Sequence, residues 1–524
     1  MFRQPPVQTA QQHFSATPRA DVSRSKFDRS HALKTTFNAD YLVPVFVDEV
    51  LPGDTFTLTE TSFARLATPL RPLMDNLYYD TFYFFVPNRL VWDNWQRFCG
   101  ERSSPTDDPS SLTLPKISFE LSDISADSLI SYLGVPQGGA GAATVNALPL
   151  RAYYLVWNEW FRDQNLLDPI AVSRGDGPDV FDATTLPLLR GKRKDYFTSC
   201  LPWPQKGDAV LIPIADLDVV SDGSGTPLFS IPSDASGDNL RVSSGGAVQW
   251  TGTNPPANEQ LSWFDPKLIA RLNTETGTTI NDLRSAFQIQ KLLERDARGG
   301  TRYIELVLAH FGVQSDDARL QRPEYLGGSS SRISISPVPA TFHNAEVAQG
   351  ELAGFGTVLN RGGFTKSFTE HGFIVGLANV RADLTYQQGL ERFWQRNTRY
   401  DFYWPALAHL GEQAVLNSEI MLTGTLSDVQ VFGYQERYAE YRYKPSRITG
   451  KFNSADSSSL DVWHLGQDFP STPQLNGFWI NSQTPMDRVV AVPSEPHVLC
   501  DIWFDLKCDR AMPVYSVPGM VDHF

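Results

Sequence analysis

The chain has 524 residues, 41% of them hydrophobic and 12% aromatic, with a net charge of −14 and a mean hydropathy of −0.27. That is ample material for a large core, and no run approaches the ~18 uncharged apolar residues of a spanning helix, so disorder, a collagen or coiled-coil rod and a membrane-inserted protein are excluded. The aromatic content together with 37 glycines and 36 prolines suits many strands joined by turn-rich connections.

Residues 1–35 read as a basic N-terminal arm. Arg3, Arg19, Arg24, Lys26, Arg29 and Lys34 face only Asp21 and Asp28, and no apolar periodicity interrupts them. Such an arm is either a solvated terminus or a contact for nucleic acid or a neighbouring subunit. Strand signals begin at Tyr41, where YLVPVFV is β-branched and its Pro44 points to an edge or a bulge. Asp54–Glu60 places Phe56 and Leu58 on one face, and Tyr78–Val86 is an aromatic strand. Arg151–Arg162 reads as a helix with a broad aromatic face.

Residues 134–149 are small and turn-rich. Residues 206–265 form a long acidic insertion, with Asp222, Asp234, Asp238 and Trp250 among Gly, Ser and Pro turns. Val210–Ile214 and Leu228–Ile231 suggest short strands within it. Thr279–Arg298 is the best helix, with a Thr279/Asp282 capping box and an apolar face that includes Leu283, Phe287 and Leu293. A second helix over Thr301–Gly312 follows. Beyond it, Arg332–Ser336 alternates with Ile333 and Ile335 inward, Gly372–Val380 is apolar on both faces, and Asp428–Tyr443 reads as a long tyrosine-rich strand. Val498–Cys508 is the clearest strand: its even positions are Val498, Cys500, Ile502, Phe504, Leu506 and Cys508, while Asp501, Asp505 and Lys507 are odd. Helices sit between strand blocks without βαβ alternation, which favours an antiparallel β-fold carrying insertions.

Chemistry is hard to find. Cys99, Cys200, Cys500 and Cys508 form no CxxC pair, and the nine histidines form no HExxH. GFGTVL at 354–359 lacks the third glycine of a dinucleotide fingerprint. FWQRNTRYDFYWPAL at 393–407 could stack bases beside Arg396 and Arg399, although interface or core packing is the stronger expectation. No catalytic, cofactor or metal residues are read; a scaffold or shell protein would show this absence of motifs, and an enzyme with dispersed residues would look the same.

Long stretches nevertheless resemble the major capsid protein of the Microviridae, in the gokushovirus branch of small single-stranded DNA bacteriophages. They include SHALKTTFNADYLVPVFVDEVLPGDTF (30–56), RPLMDNLYYDTFYFFVPNRLVWDNWQRFCGE (71–101), NALPLRAYYLVWNEWFRDQNL (146–166), INDLRSAFQIQKLLERDARGGTRYIELVLAHFGVQSDDARLQRPEYLGG (280–328) and VPGMVDHF (517–524). Residues 206–265 and parts of 102–145 fall outside the likeness.

The resemblance implies a mainly β chain, an eight-stranded antiparallel viral jelly roll with large loop insertions and a few helices. Residues 36–524 would be one such domain, with 206–265 a surface protrusion at the three-fold axis. It implies a T=1 icosahedral shell of sixty copies around circular single-stranded DNA, assembled in the bacterial cytoplasm. The partners it implies are a small basic DNA-binding or packaging protein, an internal scaffolding protein, a pilot protein and a bacterial surface receptor. On this reading Arg3, Arg19, Arg24, Lys26, Arg29 and Lys34 face the interior, and Asp222, Asp234, Asp238 and Trp250 lie towards a receptor. A carbohydrate-binding or carbohydrate-active β-sandwich is the alternative, and it would not form a megadalton particle.

Overall fold

A computed structural model describes residues 23–102, 104–105, 111–211, 217–224, 227–231, 234–242, 244–246, 248–250, 262–265, 267–272, 279–317, 321–343 and 348–515. The chain divides into two compact units, one running to Pro204 and resuming at Gly299, the other spanning Gln205–Arg298.

The larger unit is built on ten strands: β1 (Ser25–Asp28), β2 (His31–Phe37), β3 (Val43–Val50), β4 (Thr55–Leu66), β5 (Leu77–Pro87), β6 (Glu324–Arg332), β7 (Ser334–Pro339), β8 (Leu352–Ser367), β9 (Gly372–Ala382) and β10 (Val498–Arg510). In the first sheet β10 pairs with both β1 and β2, and the order continues β10–β4–β8–β7. The second sheet has the order β6–β5–β9–β3. Every pairing in both is antiparallel.

Period two decides which residues meet between the sheets. The even positions of β10, from Val498 to Cys508, are all buried, while Leu499 and Trp503 are about half exposed. Phe56 and Leu58 of β4 are buried beside them, as is Ile333, with Ile335 packed against the same cluster. Across the interface the Phe46 ring lies 5.2 Å from that of Phe504, and Tyr83 lies 5.5 Å from Phe364. Pro44 has both of the roles its position suggested. It sits on the edge strand β3, and the register shifts there, Gly376 opposing Phe46 while Leu377 opposes Pro44.

The far face of the second sheet is covered too. Phe84, Val86, Val375 and Leu377 pack against a helix, α1 (Leu148–Val156), which continues as a π-turn over Trp157–Phe161. β9 is therefore a doubly covered strand, as its unbroken apolar run indicated. Arg151 is buried on α1, but Asp179 accepts two hydrogen bonds from it at 2.7 Å and the Val91 and Gly175 carbonyls accept two more at 2.9 Å. A third cluster gathers Tyr196, Phe197, Tyr386, Val415, Phe432 and Trp479.

Two expectations change. The arm extends less far than residue 35, because Ser25–Asp28 and His31–Phe37 are strands laid on β10. The tyrosine-rich segment is a strand only over Val431–Glu436, since Tyr438 is left-handed at φ 63 and a 3₁₀ turn follows.

The smaller unit carries its own strands. Leu217–Ser221 pairs antiparallel with Leu268–Leu272. A separate four-stranded sheet runs in the order Val248–Trp250, Asp234–Val242, Leu228–Ile231, Ser262–Asp265. Leu228–Ile231 is thus a strand as read; residues 212–214 of the other expected strand lie outside the described residues. The unit also includes all but the last residue of the helix Ile280–Gly299, whose amino end is closed by Thr279 and Asp282, each backbone amide donating to the other's side chain at 3.0 and 3.1 Å. Of its apolar face, Leu283 and Leu293 are half-buried, whereas Phe287 is 60% exposed.

Candidate interaction surfaces

Among the described residues no group of three or more His, Cys, Asp or Glu could hold a metal ion, and no helix is long and apolar enough to cross a membrane. GFGTVL lies inside β8 rather than at a strand–helix turn. A cavity of ≈ 220 Å³ lies beside Glu419, Arg392 and Tyr196. Burial raises the Glu419 carboxyl, yet the group already accepts from Tyr196 Oη at 2.8 Å, Arg392 at 2.9 Å and the Leu416 amide at 3.0 Å. A carboxylate with three internal donors is a packing device rather than a poised acid.

The basic residues split into those the subunit uses and those it leaves to solvent. Arg3 and Arg19 lie outside the described residues. Arg24 donates to the carbonyls of Gly53 at 2.5 Å and Asp509 at 3.4 Å. Arg29 is held bidentately by Asp48 at 2.5 and 3.0 Å. Burial lowers its pKa, but the Asp48 hydrogen bond and charge outweigh that and leave it raised. Lys34 forms an exposed pair with Asp501 at 3.0 Å. Lys26, exposed on β1 across from Asp509, has no hydrogen-bond or ion-pair partner among the described residues. The four belong to one edge of the first sheet, and sequence alone could not reveal the carboxylates that oppose two of them.

In the smaller unit Asp222 follows the Leu217–Ser221 strand. It accepts from the Ser224 hydroxyl at 2.7 Å and amide at 2.8 Å, and these bonds lower its pKa. Asp234 and Asp238 lie on the strand Asp234–Val242, and Trp250 ends Val248–Trp250 opposite Leu240. Three of the four therefore share one sheet, and Asp222 lies on the other strand pair.

Two surfaces stand out that the motif search undervalued. In the 393–407 run, Phe393, Trp394, Tyr400, Phe402, Tyr403 and Trp404 are 46–65% exposed, which excludes core packing as their role. Arg396 is fixed among these rings, 5.1 Å from Phe402 and 4.6 Å from Tyr441. On the first sheet, the face turned away from the core carries Phe63, Leu359, Leu499 and Trp503, each 50–70% exposed. The alternation in β4 and β10 was the available signal, because it assigns these residues to the face opposite Leu58 and Phe504.

The family model described as "Capsid protein (F protein)" matches residues 15–520. The chain is 44% identical to "Capsid protein VP1" of Bdellovibrio phage phiMH2K, with 98% of both chains covered. It is 42% identical to the protein of that name from Chlamydia phage 1, over 97% of each chain. It is 35% identical to that of Spiroplasma virus 4, over 95% of this chain and 96% of the other.

Proposed function

Because the chain belongs to the phage capsid F-protein family, as a structural virion protein of the gokushovirus kind and not an enzyme, we propose that sixty copies close into a T=1 icosahedral shell around a circular single-stranded DNA. The observation that carries this reading is the likeness to three phage capsid proteins along almost the whole chain. The strand order supports an eight-stranded viral jelly roll as the building block. Read in chain order, β2 to β5, β6, β8, β9 and β10 give the sheets β2–β10–β4–β8 and β3–β9–β5–β6, the paired Greek keys of that fold.

Charge sets the polarity of the subunit. Sixty chains at −14 each cannot all turn that charge towards a polyanion. The basic amino-terminal residues face inward, to DNA directly or through a small basic packaging protein. Residues 206–265 face outward as the three-fold protrusion and meet the bacterial receptor. An internal scaffolding protein assists assembly in the host cytoplasm, and a pilot protein accompanies the genome. Electron microscopy of the purified protein tests the shell: closed particles of sixty subunits holding nuclease-protected single-stranded DNA are expected, and subunits that remain small oligomers, or shells of another triangulation, would overturn it.

A further inference from the structure

We propose that the solvent face of the first sheet is a base-stacking platform for single-stranded DNA, centred on Phe63 and Trp503 and flanked by Arg65 and Arg361. The inference rests on the reading that the shell encloses such DNA.

The register builds the platform. Leu359 of β8 lies directly opposite Phe63 of β4, and Trp503 of β10 lies opposite Thr61. Residues directly opposite sit ~5 Å apart and diagonal ones ~7–8 Å apart, so Phe63 has Leu359 on one side, Asp501 with its partner Lys34 on the other, and Trp503 as its diagonal neighbour. All three side chains are at least half exposed, at 51%, 70% and 51% for Phe63, Leu359 and Trp503. Two large aromatic rings left in water on a well-paired central ladder have no role in the core, which the alternate residues Leu58, Ala64, Ile502 and Phe504 already fill. They are set at a spacing that offers a flat surface to successive bases of an unstacked strand.

The charge on this face selects the partner. Arg65 and Arg361 lie two residues to either side of the Leu359–Phe63 pair and are exposed. Arg65 faces Thr357 and Leu499 across its ladders, and Arg361 faces Thr61. Neither guanidinium has an ion-pair or hydrogen-bond partner among the described residues, in contrast to Lys34, which Asp501 neutralises at 3.0 Å. Rings between two free guanidiniums suit a chain of alternating bases and phosphates. A basic peptide would meet like charge here, and a second copy of the same face would set arginine against arginine. From Phe63, Arg65 and Leu499 an open groove of ≈ 750 Å³ continues to Tyr132 and Gln137, giving the strand a path off the sheet.

The test uses the full-length protein and a fluorescently labelled oligothymidylate, with affinity read by anisotropy across a salt series. Phe63→Ala with Trp503→Ala should weaken binding roughly tenfold per ring. Phe63→Tyr with Trp503→Phe, which keeps both rings, should bind like the parent and control for folding. Arg65→Gln with Arg361→Gln should lower the salt slope by about 1.4, at ~0.7 per phosphate lost. The platform is refuted if the parent binds DNA and the alanine pair binds it equally well, a result that leaves the enclosed-genome reading standing on the amino-terminal cations. It is also refuted if the alanine pair loses subunit association but not DNA affinity, since the face would then be a protein contact. A parent protein that neither binds the oligonucleotide nor encloses DNA would remove both readings.

Discussion

Asp80 of β5 accepts a 2.8 Å hydrogen bond from Arg381 Nε of β9, at a position where the sheet is covered on both faces. Arg190 reaches the same carboxylate oxygen at 2.5 Å, and the Ser330 hydroxyl donates to the other at 2.5 Å. The carboxylate thus ties β5, β6, β9 and the segment after α1 together. Burial raises its pKa, but Ser330 and the two arginines outweigh that and hold it below the ordinary value of 3.8. A folded pKa below the unfolded one means that the stabilisation is complete at neutral pH and is lost as pH falls through the usual carboxylate range. Asp80→Asn should cost ~3–5 kcal/mol, because it leaves two cations facing a neutral amide. Thermal melts of the variant and parent should differ at pH 7, and the difference should shrink only as pH falls below the ordinary carboxylate value towards the lowered folded one. Equal melting temperatures at pH 7 would show that the pair is dispensable.

The alternation in β10 makes a paired prediction. Phe504 is fully buried, 5.2 Å from both the Phe46 and His31 rings, so Phe504→Ala should cost ~3–5 kcal/mol by opening a cavity. Asp505 is on the other face, in a partly exposed pair with Lys507 at 3.2 Å, and Asp505→Ala should cost less than ~1 kcal/mol. Denaturant midpoints measured on the two variants test the register, and equal losses would contradict it.

The strands that could be read from sequence are those where local pattern and tertiary environment coincide. β10 alternates because one face of its sheet is covered, and β9 is uniformly apolar because both of its faces are. The cap at Thr279 was legible for the same reason, as its partners are three residues apart. What period and composition do not encode is the backbone reversal at Tyr438, a left-handed residue with no glycine to mark it. Nor do they encode pairings such as Arg29–Asp48, which depend on strands brought together by topology. The exposed Phe287 illustrates a further limit: amphipathicity identifies a helix face without saying what covers it.

Those hidden partners sharpen the expectation for the basic edge. Lys26→Gln with Lys34→Gln removes cations that the subunit hardly uses, since an exposed pair such as Lys34–Asp501 is worth ~0–1 kcal/mol. This variant should assemble and melt normally but package less DNA. Arg29→Gln should behave oppositely, losing ~1–3 kcal/mol because the Asp48 carboxylate forfeits a charged bidentate partner, with little effect on packaging. Absorbance ratios of purified particles report DNA content and melting curves report stability. A normal DNA content in the lysine pair would remove those two residues from the packaging reading.

The smaller unit offers a clean place to cut. Ser221 pairs with Leu268, and the Asp222 amide donates to the Lys267 carbonyl at 2.9 Å, so the two strands are already closed at that end. Everything between Asp222 and Lys267, including the four-stranded sheet with Asp234, Asp238 and Trp250, leaves and returns through this ladder. Replacing residues 223–266 with a two-residue Asn-Gly turn should therefore preserve the pairing, as such turns suit antiparallel strands and a shorter loop has a lower closure cost. The shortened protein should still form shells, but the particles should no longer adsorb to host cells, because surface excursions of this kind carry recognition more often than framework stability. Electron microscopy combined with an adsorption assay separates the possibilities. Intact shells that fail to adsorb support a receptor-binding role, shells that adsorb normally place the receptor contact elsewhere, and free subunits or open fragments would mean that the excursion clamps neighbouring subunits together.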